Sequence, residues 1–151
     1  PKQIKAGAES AALVSLVDFV ATAAAFTGQT LAPDAAPDSF DFSASLLDPS
    51  AVARKTFIAQ DPVLSVREGP WKFIPENGRK NGPKNSATGL LGDPDAFLKG
   101  EQDNGRWNVV QLYDTGKDPR ETENLAERQP ERVAAMRAFL EKAKADGRTR
   151  P

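Results

Sequence analysis

Leu112-Tyr-Asp-Thr-Gly-Lys-Asp-Pro-Arg-Glu-Thr-Glu-Asn-Leu-Ala126 is the stretch from which the fold can be read. Leu112 and Tyr113 finish a strand. Asp114 turns the backbone with its carboxylate, as short polar side chains do. Asp118-Pro119 starts a second turn. Glu121 and Asn124 are expected to satisfy backbone groups at a short helical turn, and Leu125 returns the chain to a core. Capping and turn roles are the usual employment of these carboxylates, so none is assigned a catalytic one.

Downstream, Pro130 suits the first position of a helix. Val133, Met136, Leu140 and Ala143 recur at helical spacing with Phe139 beside them. Gly147 follows as a stop, which predicts a terminal helix over residues 130–145. Upstream, Trp71 to Ile74 alternates, with Trp71 and Phe73 on one face and Lys72 on the exposed one. Gly69-Pro70 is turn chemistry. Val63 to Glu68 sets Leu64 and Val66 against Ser65 and Arg67, and Lys55 to Gln60 holds Thr56, Phe57 and Ile58. Trp107 to Tyr113 completes the strand set. Residues 75–106 form a long region rich in glycine, asparagine and lysine, with a helical turn expected at Asp95 to Lys99.

Further upstream, residues 1–14 read as extended chain. Ser15 is an N-cap with Asp18 three residues on, a variant of the capping box, and Val14 with Phe19 has the spacing of a hydrophobic staple. Leu16, Phe19, Val20, Ala23 and Phe26 recur at helical spacing, and Gly28 is a left-handed stop. The spacing predicts a helix over residues 16–27 whose apolar stripe faces a core. Residues 29–38 are a loop. A short helix is expected over Ser39 to Leu47, capped by Asp38 or Ser39 and ended by Asp48-Pro49.

These elements make an α+β fold: a small antiparallel sheet of three to four strands, packed on one face by the C-terminal amphipathic helix. The leading helix reads as the tail of a separate α/β unit. The boundary is expected between Asp48 and Arg54, dividing residues 1–50 from residues 51–151.

Composition narrows the chemistry. The 151 residues carry 20 basic and 21 acidic side chains, a net charge of −1, which offers no electrostatic case for binding nucleic acid. Without cysteine there is no disulfide framework and no thiolate metal site. Without histidine the commonest general base and metal ligand is missing. No apolar run is long enough to span a membrane. The hydrophobic share of 39% is low against the usual ~45–50%. With twelve prolines and eleven glycines, it points to a loop-rich unit that leans on a larger body. The first residues, Pro1-Lys-Gln-Ile-Lys5, read as the middle of a longer protein.

Four patterns in order resemble the sulfatase family. The first is Lys5-Ala-Gly7, then Leu13-Val-Ser-Leu-Val-Asp18 and Thr22 to Gly28. The second is Val66-Arg-Glu-Gly-Pro-Trp-Lys-Phe-Ile74. The third is Gln111-Leu-Tyr-Asp114 with Asp118-Pro119, Glu121-Thr122 and Asn124-Leu125. The fourth is the final helix with Gly147-Arg-Thr-Arg-Pro151. The third is the specific one, and the resemblance spans nearly the whole chain. It implies the C-terminal portion of an arylsulfatase-like protein of the alkaline phosphatase superfamily. It also implies a parent that hydrolyses sulfate esters with calcium and a formylglycine, in the periplasm or outside the cell. The resemblance places nucleophile and metal ligands in an N-terminal catalytic part beyond these residues, so no catalytic and no metal-binding residue is assigned here. That N-terminal domain is the implied partner, and a sulfated small molecule or glycan the implied substrate.

Ser50-Ala-Val-Ala-Arg54 imitates the formylglycine motif but has Val52 where proline belongs, and it follows the capped helix instead of preceding it. Asp114-x-Gly116-x-Asp118 lacks the glycine and glutamate of an EF-hand loop. Gly78 to Lys84 lacks the spacing of a phosphate loop. Arg79, Lys80 and Lys84 remain as candidate substrate contacts, set against the plainer reading of a solvated basic loop. Trp71 and Trp107 are expected in sheet packing more than in sugar stacking. Two further readings stand beside the sulfatase one: a glycan-binding or structural module without catalysis, and part of a related phosphatase or phosphodiesterase.

Overall fold

The computed structural model describes residues 3–60, 64–76 and 109–150. The chain divides into two compact units, Pro1–Phe57 with Glu141–Pro151, and Ile58–Leu140.

The second unit is built on a four-stranded sheet. Strands β1 (Thr56–Gln60), β2 (Leu64–Glu68), β3 (Trp71–Ile74) and β4 (Gln111–Asp114) lie in the order β1-β2-β3-β4. Strand β3 is antiparallel to both neighbours, with Val66 opposite Phe73 and Phe73 opposite Leu112. Glu68 pairs with Trp71, so Gly69-Pro70 forms a two-residue hairpin loop. Gly69 has φ +54°, and proline holds the next φ negative. This is the sign pattern of a type II′ turn, which matches the right-handed twist of the strands it joins.

Side chains alternate across the sheet. Val66, Phe73 and Leu112 fall on one face and are fully buried with Met136 and Leu140 of the terminal helix, α3 (Pro130–Asp146). Ile58, Leu64, Trp71, Val110, Val133 and Phe139 pack around this cluster. The α+β class, the antiparallel sheet and the covering helix agree with the sequence reading. The last strand is shorter than expected, because Val109 and Val110 lie outside the ladder. Trp107 and the turn expected at Asp95 to Lys99 lie outside the described residues.

In the first unit, Ser15 caps a single 3-10 turn, Leu16–Asp18, which continues as helix α1 (Phe19–Phe26). Gly28 ends it at φ +66°. The Gln29 N–H reaches the Ala24 carbonyl at 2.8 Å and the Gly28 N–H reaches that of Ala25 at 3.2 Å, the paired bonds of a Schellman motif.

Two expectations fail in this unit. Along the 3-10 turn and α1, the side chains that turn inward are Asp18, Ala21 and Thr22, while Leu16, Phe19, Val20 and Phe26 are exposed. The other concerns Ser39–Leu47: only α2 (Ser43–Leu47) is helical. Residues 39–42 are held off helical geometry by α1. The Ser39 hydroxyl accepts from Ala21 N–H at 2.9 Å, and the Phe40 and Phe42 amides donate to Asp18 and Thr22 side chains at 3.0 and 3.1 Å. Asp48 closes α2 as expected.

Candidate functional site

The polar stretch after β4 folds back onto the sheet through one side chain above all. The Asn124 Oδ1 accepts from the Leu112 and Ala126 amides, both at 3.0 Å, while its Nδ2 donates to the Val110 carbonyl at 2.9 Å. The Leu125 amide then bonds the Leu112 carbonyl at 2.8 Å. Leu112 is fully buried, so its amide needs this acceptor. Asn124→Ala is expected to cost about 1–3 kcal/mol by leaving it unsatisfied. Asn124→Asp, which keeps the acceptor, should cost less. Urea unfolding of the two variants checks this.

Asp114 and Asp118 serve the turns, as the residue types suggested. Asp114 Oδ1 accepts from Gly116 N–H at 3.2 Å. Asp118 Oδ2 accepts from the Thr122 and Glu123 amides at 2.6 and 2.8 Å. The Glu123 amide foremost, with Thr122 adding and partial desolvation opposing, holds the Asp118 carboxyl below its ordinary value of 3.8. The sign follows from linkage. A depressed folded value gives stabilisation that is present above the unfolded pKa and lost as pH falls through the folded one. The Thr122 and Glu123 amides are therefore expected to keep their hydrogen-bonded shifts through mildly acid pH and lose them only below the ordinary aspartate range. An NMR pH titration of these amides reads the midpoint.

Glu121 departs from its expected capping role. It sits at φ +56° and accepts both oxygens' worth of contact from the Lys72 ammonium, at 2.8 and 2.9 Å. Lys72 is accordingly half-buried, not on an open face. It stands opposite Arg67 and Tyr113 on the sheet surface away from α3. Trp71 packs at the margin of the core, and the Arg132 guanidinium lies 4.3 Å over its ring. That cation occupies the ring face a sugar would need.

In the first unit the buried centre is an ion pair. Asp18 Oδ1 meets Arg54 Nη1 at 2.9 Å, with both side chains almost wholly removed from solvent. The other carboxylate oxygen accepts from Ser15 N–H at 2.8 Å. Arg54 also donates from Nε to the Thr56 carbonyl at 2.8 Å and stacks 4.5 Å over Phe40 and 5.2 Å over Phe57. Asp18 thus joins the helix start, the 38–42 segment and Arg54, two residues before β1. The serine of the imitation motif, Ser50, donates its hydroxyl to Asp48 Oδ1 at 2.7 Å, a local turn bond.

Arg79, Lys80 and Lys84 lie outside the described residues. Among the described residues, no grouping of three or more aspartate or glutamate side chains is arranged to hold a metal ion. Each of these described centres orients backbone or packs elements together.

No family model matches the chain. It is 32% identical over 146 residues to an N-acetylgalactosamine-6-O-sulfatase of Bacteroides thetaiotaomicron, covering 95% of this chain and 26% of that protein. Its fold superposes with a TM-score of 0.72 and 29% identity on a solved 6S-sulfatase from work on glycosaminoglycan metabolism by the same organism, over 96% of this chain and 28% of that one. In sequence and in fold, the chain is like the C-terminal portion of a sulfatase. A further solved protein, in complex with its substrate D-glucosamine-2-N,6-O-disulfate, shares the fold at TM-score 0.60 and 20% identity, over 96% of this chain and 26% of its own. The chain spans about a quarter of the length of the sulfatase relatives it matches.

Reading by residue type missed the two most buried ion pairs among the described residues of this sulfatase-like chain, because their partners are 36 and 49 positions apart. A signal for one was present. Asp18 is the only charged residue between Glu9 and Asp34. A lone carboxylate in such an apolar run is either buried with a partner or out of place.

Proposed function

We propose that this chain is the C-terminal part of a sulfatase, a sulfuric ester hydrolase whose substrate is a 6-O-sulfated amino sugar of the glycosaminoglycan class. The observation that carries the reading is the likeness over 95% of the chain to the N-acetylgalactosamine-6-O-sulfatase. Residues 1–50 would then close the catalytic α/β domain, and residues 51–151 form the subdomain beside its cleft. By the same resemblance the whole protein works in the periplasm or outside the cell. Its formylglycine would supply the nucleophile and its calcium would offset the charge on the sulfate oxygens. Both belong to the N-terminal polypeptide.

The residues described here act as scaffold. Asn124, Asp118 and the Lys72–Glu121 pair fix the turn against the sheet, and the Asp18–Arg54 pair fixes the leading helix. Arg79, Lys80 and Lys84 are the candidate contacts to a sulfated ring, where fixed positive charge suits an anionic ligand.

The test is sulfate release from N-acetylgalactosamine-6-O-sulfate and N-acetylglucosamine-6-O-sulfate by the polypeptide as its gene encodes it, upstream residues included. Turnover is expected from that polypeptide and none from the 151-residue chain alone. Release of phosphate from a matched phosphate ester without sulfate release, or sulfate turnover by the pure 151-residue chain, would sink the reading.

A further inference from the structure

Among the described residues, the two longest helices solve the problem of their outer faces in opposite ways. On α3, charged side chains carry the outer face, with Lys142 paired to Asp146 and Lys144 to Glu141. That is the ordinary surface of an amphipathic helix in water. On the segment from Leu16 to Phe26, the exposed side chains are apolar: Leu16 is 84% exposed, Phe19 58%, Val20 51% and Phe26 61%. Their spacing, three residues from Leu16 to Phe19, four from Leu16 to Val20 and seven from Phe19 to Phe26, sets them along one side of the helix. The segment's only charged residue, Asp18, is turned inward to Arg54. No side chain on the outer face is built to meet water.

We infer that the exposed apolar side of α1, formed by Leu16, Phe19, Val20 and Phe26, is an interaction surface for the polypeptide that makes up the rest of a sulfatase. The inference rests on the sulfatase reading for the identity of the occupant. Its physical ground is separate: large apolar side chains gathered at one exposed site mark an interface, because removing them from water is favourable. The length of the relatives selects the occupant. They match this chain across 95–96% of its residues, yet most of each relative's length lies outside the matched region. A single continuing chain therefore supplies the missing cover, and a second copy of this piece is not required. The inward face is already committed, since Ala21 and Thr22 bond the 38–42 segment. The outer face is the one left to dock.

Site-specific photocross-linking in the polypeptide as encoded, upstream residues included, decides this. Phe19 and, in a second variant, Phe26 are replaced by p-benzoylphenylalanine, with Ala138 on the exposed side of α3 as the control position. Circular dichroism confirms that each variant is folded. Cross-links from positions 19 and 26 to peptides N-terminal to Pro1, with none from position 138, are expected. Cross-links to a second copy, or none from either position in folded protein, overturn the inference. Cross-linking without sulfate release keeps the interface and removes the sulfatase reading; sulfate release without cross-linking does the reverse.

Discussion

Asp18→Ala is expected to destabilise the first unit by about 3–5 kcal/mol, the usual consequence of removing one partner from a buried ion pair. The size follows from what is left behind. Arg54 would keep its charge with almost no solvent contact and without its carboxylate. The Ser15 and Phe40 amides would lose their acceptor as well. Arg54→Met should cost less, because the Asp18 carboxylate would retain both amide donors and the methionine would preserve packing against Phe40 and Phe57. Asp18→Asn separates charge from hydrogen bonding: the amide oxygen can still accept, so most of its loss reports the missing charge. Chemical denaturation of the three variants, read as transition midpoints at constant slope, gives the order Asp18→Ala, then Asp18→Asn, then Arg54→Met. Equal losses for all three would show that the pair is not the organising contact.

Phe73→Ala is expected to cost about 3–5 kcal/mol in the second unit. Phe73 has no solvent exposure and lies between Val66 and Leu112 across the sheet, under Met136 and Leu140. Its removal empties the middle of the one cluster that holds the sheet to α3. The small size of that cluster leaves few neighbours able to close the cavity. Val109→Ala, at a site 51% exposed, should stay within about 0.5 kcal/mol and serves as the control. Thermal unfolding followed at the two tryptophans compares them.

Much of this architecture could be read from neighbouring residues. Gly69-Pro70 announces its hairpin because only a residue tolerant of positive φ fits the first turn position. Gly28 announces the end of α1 for the same reason. Pro130 and the Val133, Met136, Leu140 and Ala143 spacing mark α3 and its inner side. The Asp118 and Asn124 bonds also reach only a few residues along the chain or to the adjacent strand.

The failures share a cause. Ser39 to Phe42 has nothing local against helix, yet its amides and hydroxyl are taken by Asp18 and by Ala21 and Thr22 of α1. Glu121 looks like a capping residue until Lys72 is placed opposite it. The stripe of Leu16, Phe19, Val20 and Phe26 reads as core-facing because periodicity tells that a helix has an apolar side, not where the matching surface is.

What residue order settled here is the set of elements and their ends, since turns, caps and periodicity depend on φ preference and on contacts within a few positions. The family likeness was also readable there, in the run from Gln111 to Leu125. Three-dimensional packing alone chose which side of α1 turned inward and which carboxylates found cations. Those choices depend on charges and surfaces brought together from distant positions, where desolvation decides the outcome and spacing along the chain carries no information about it.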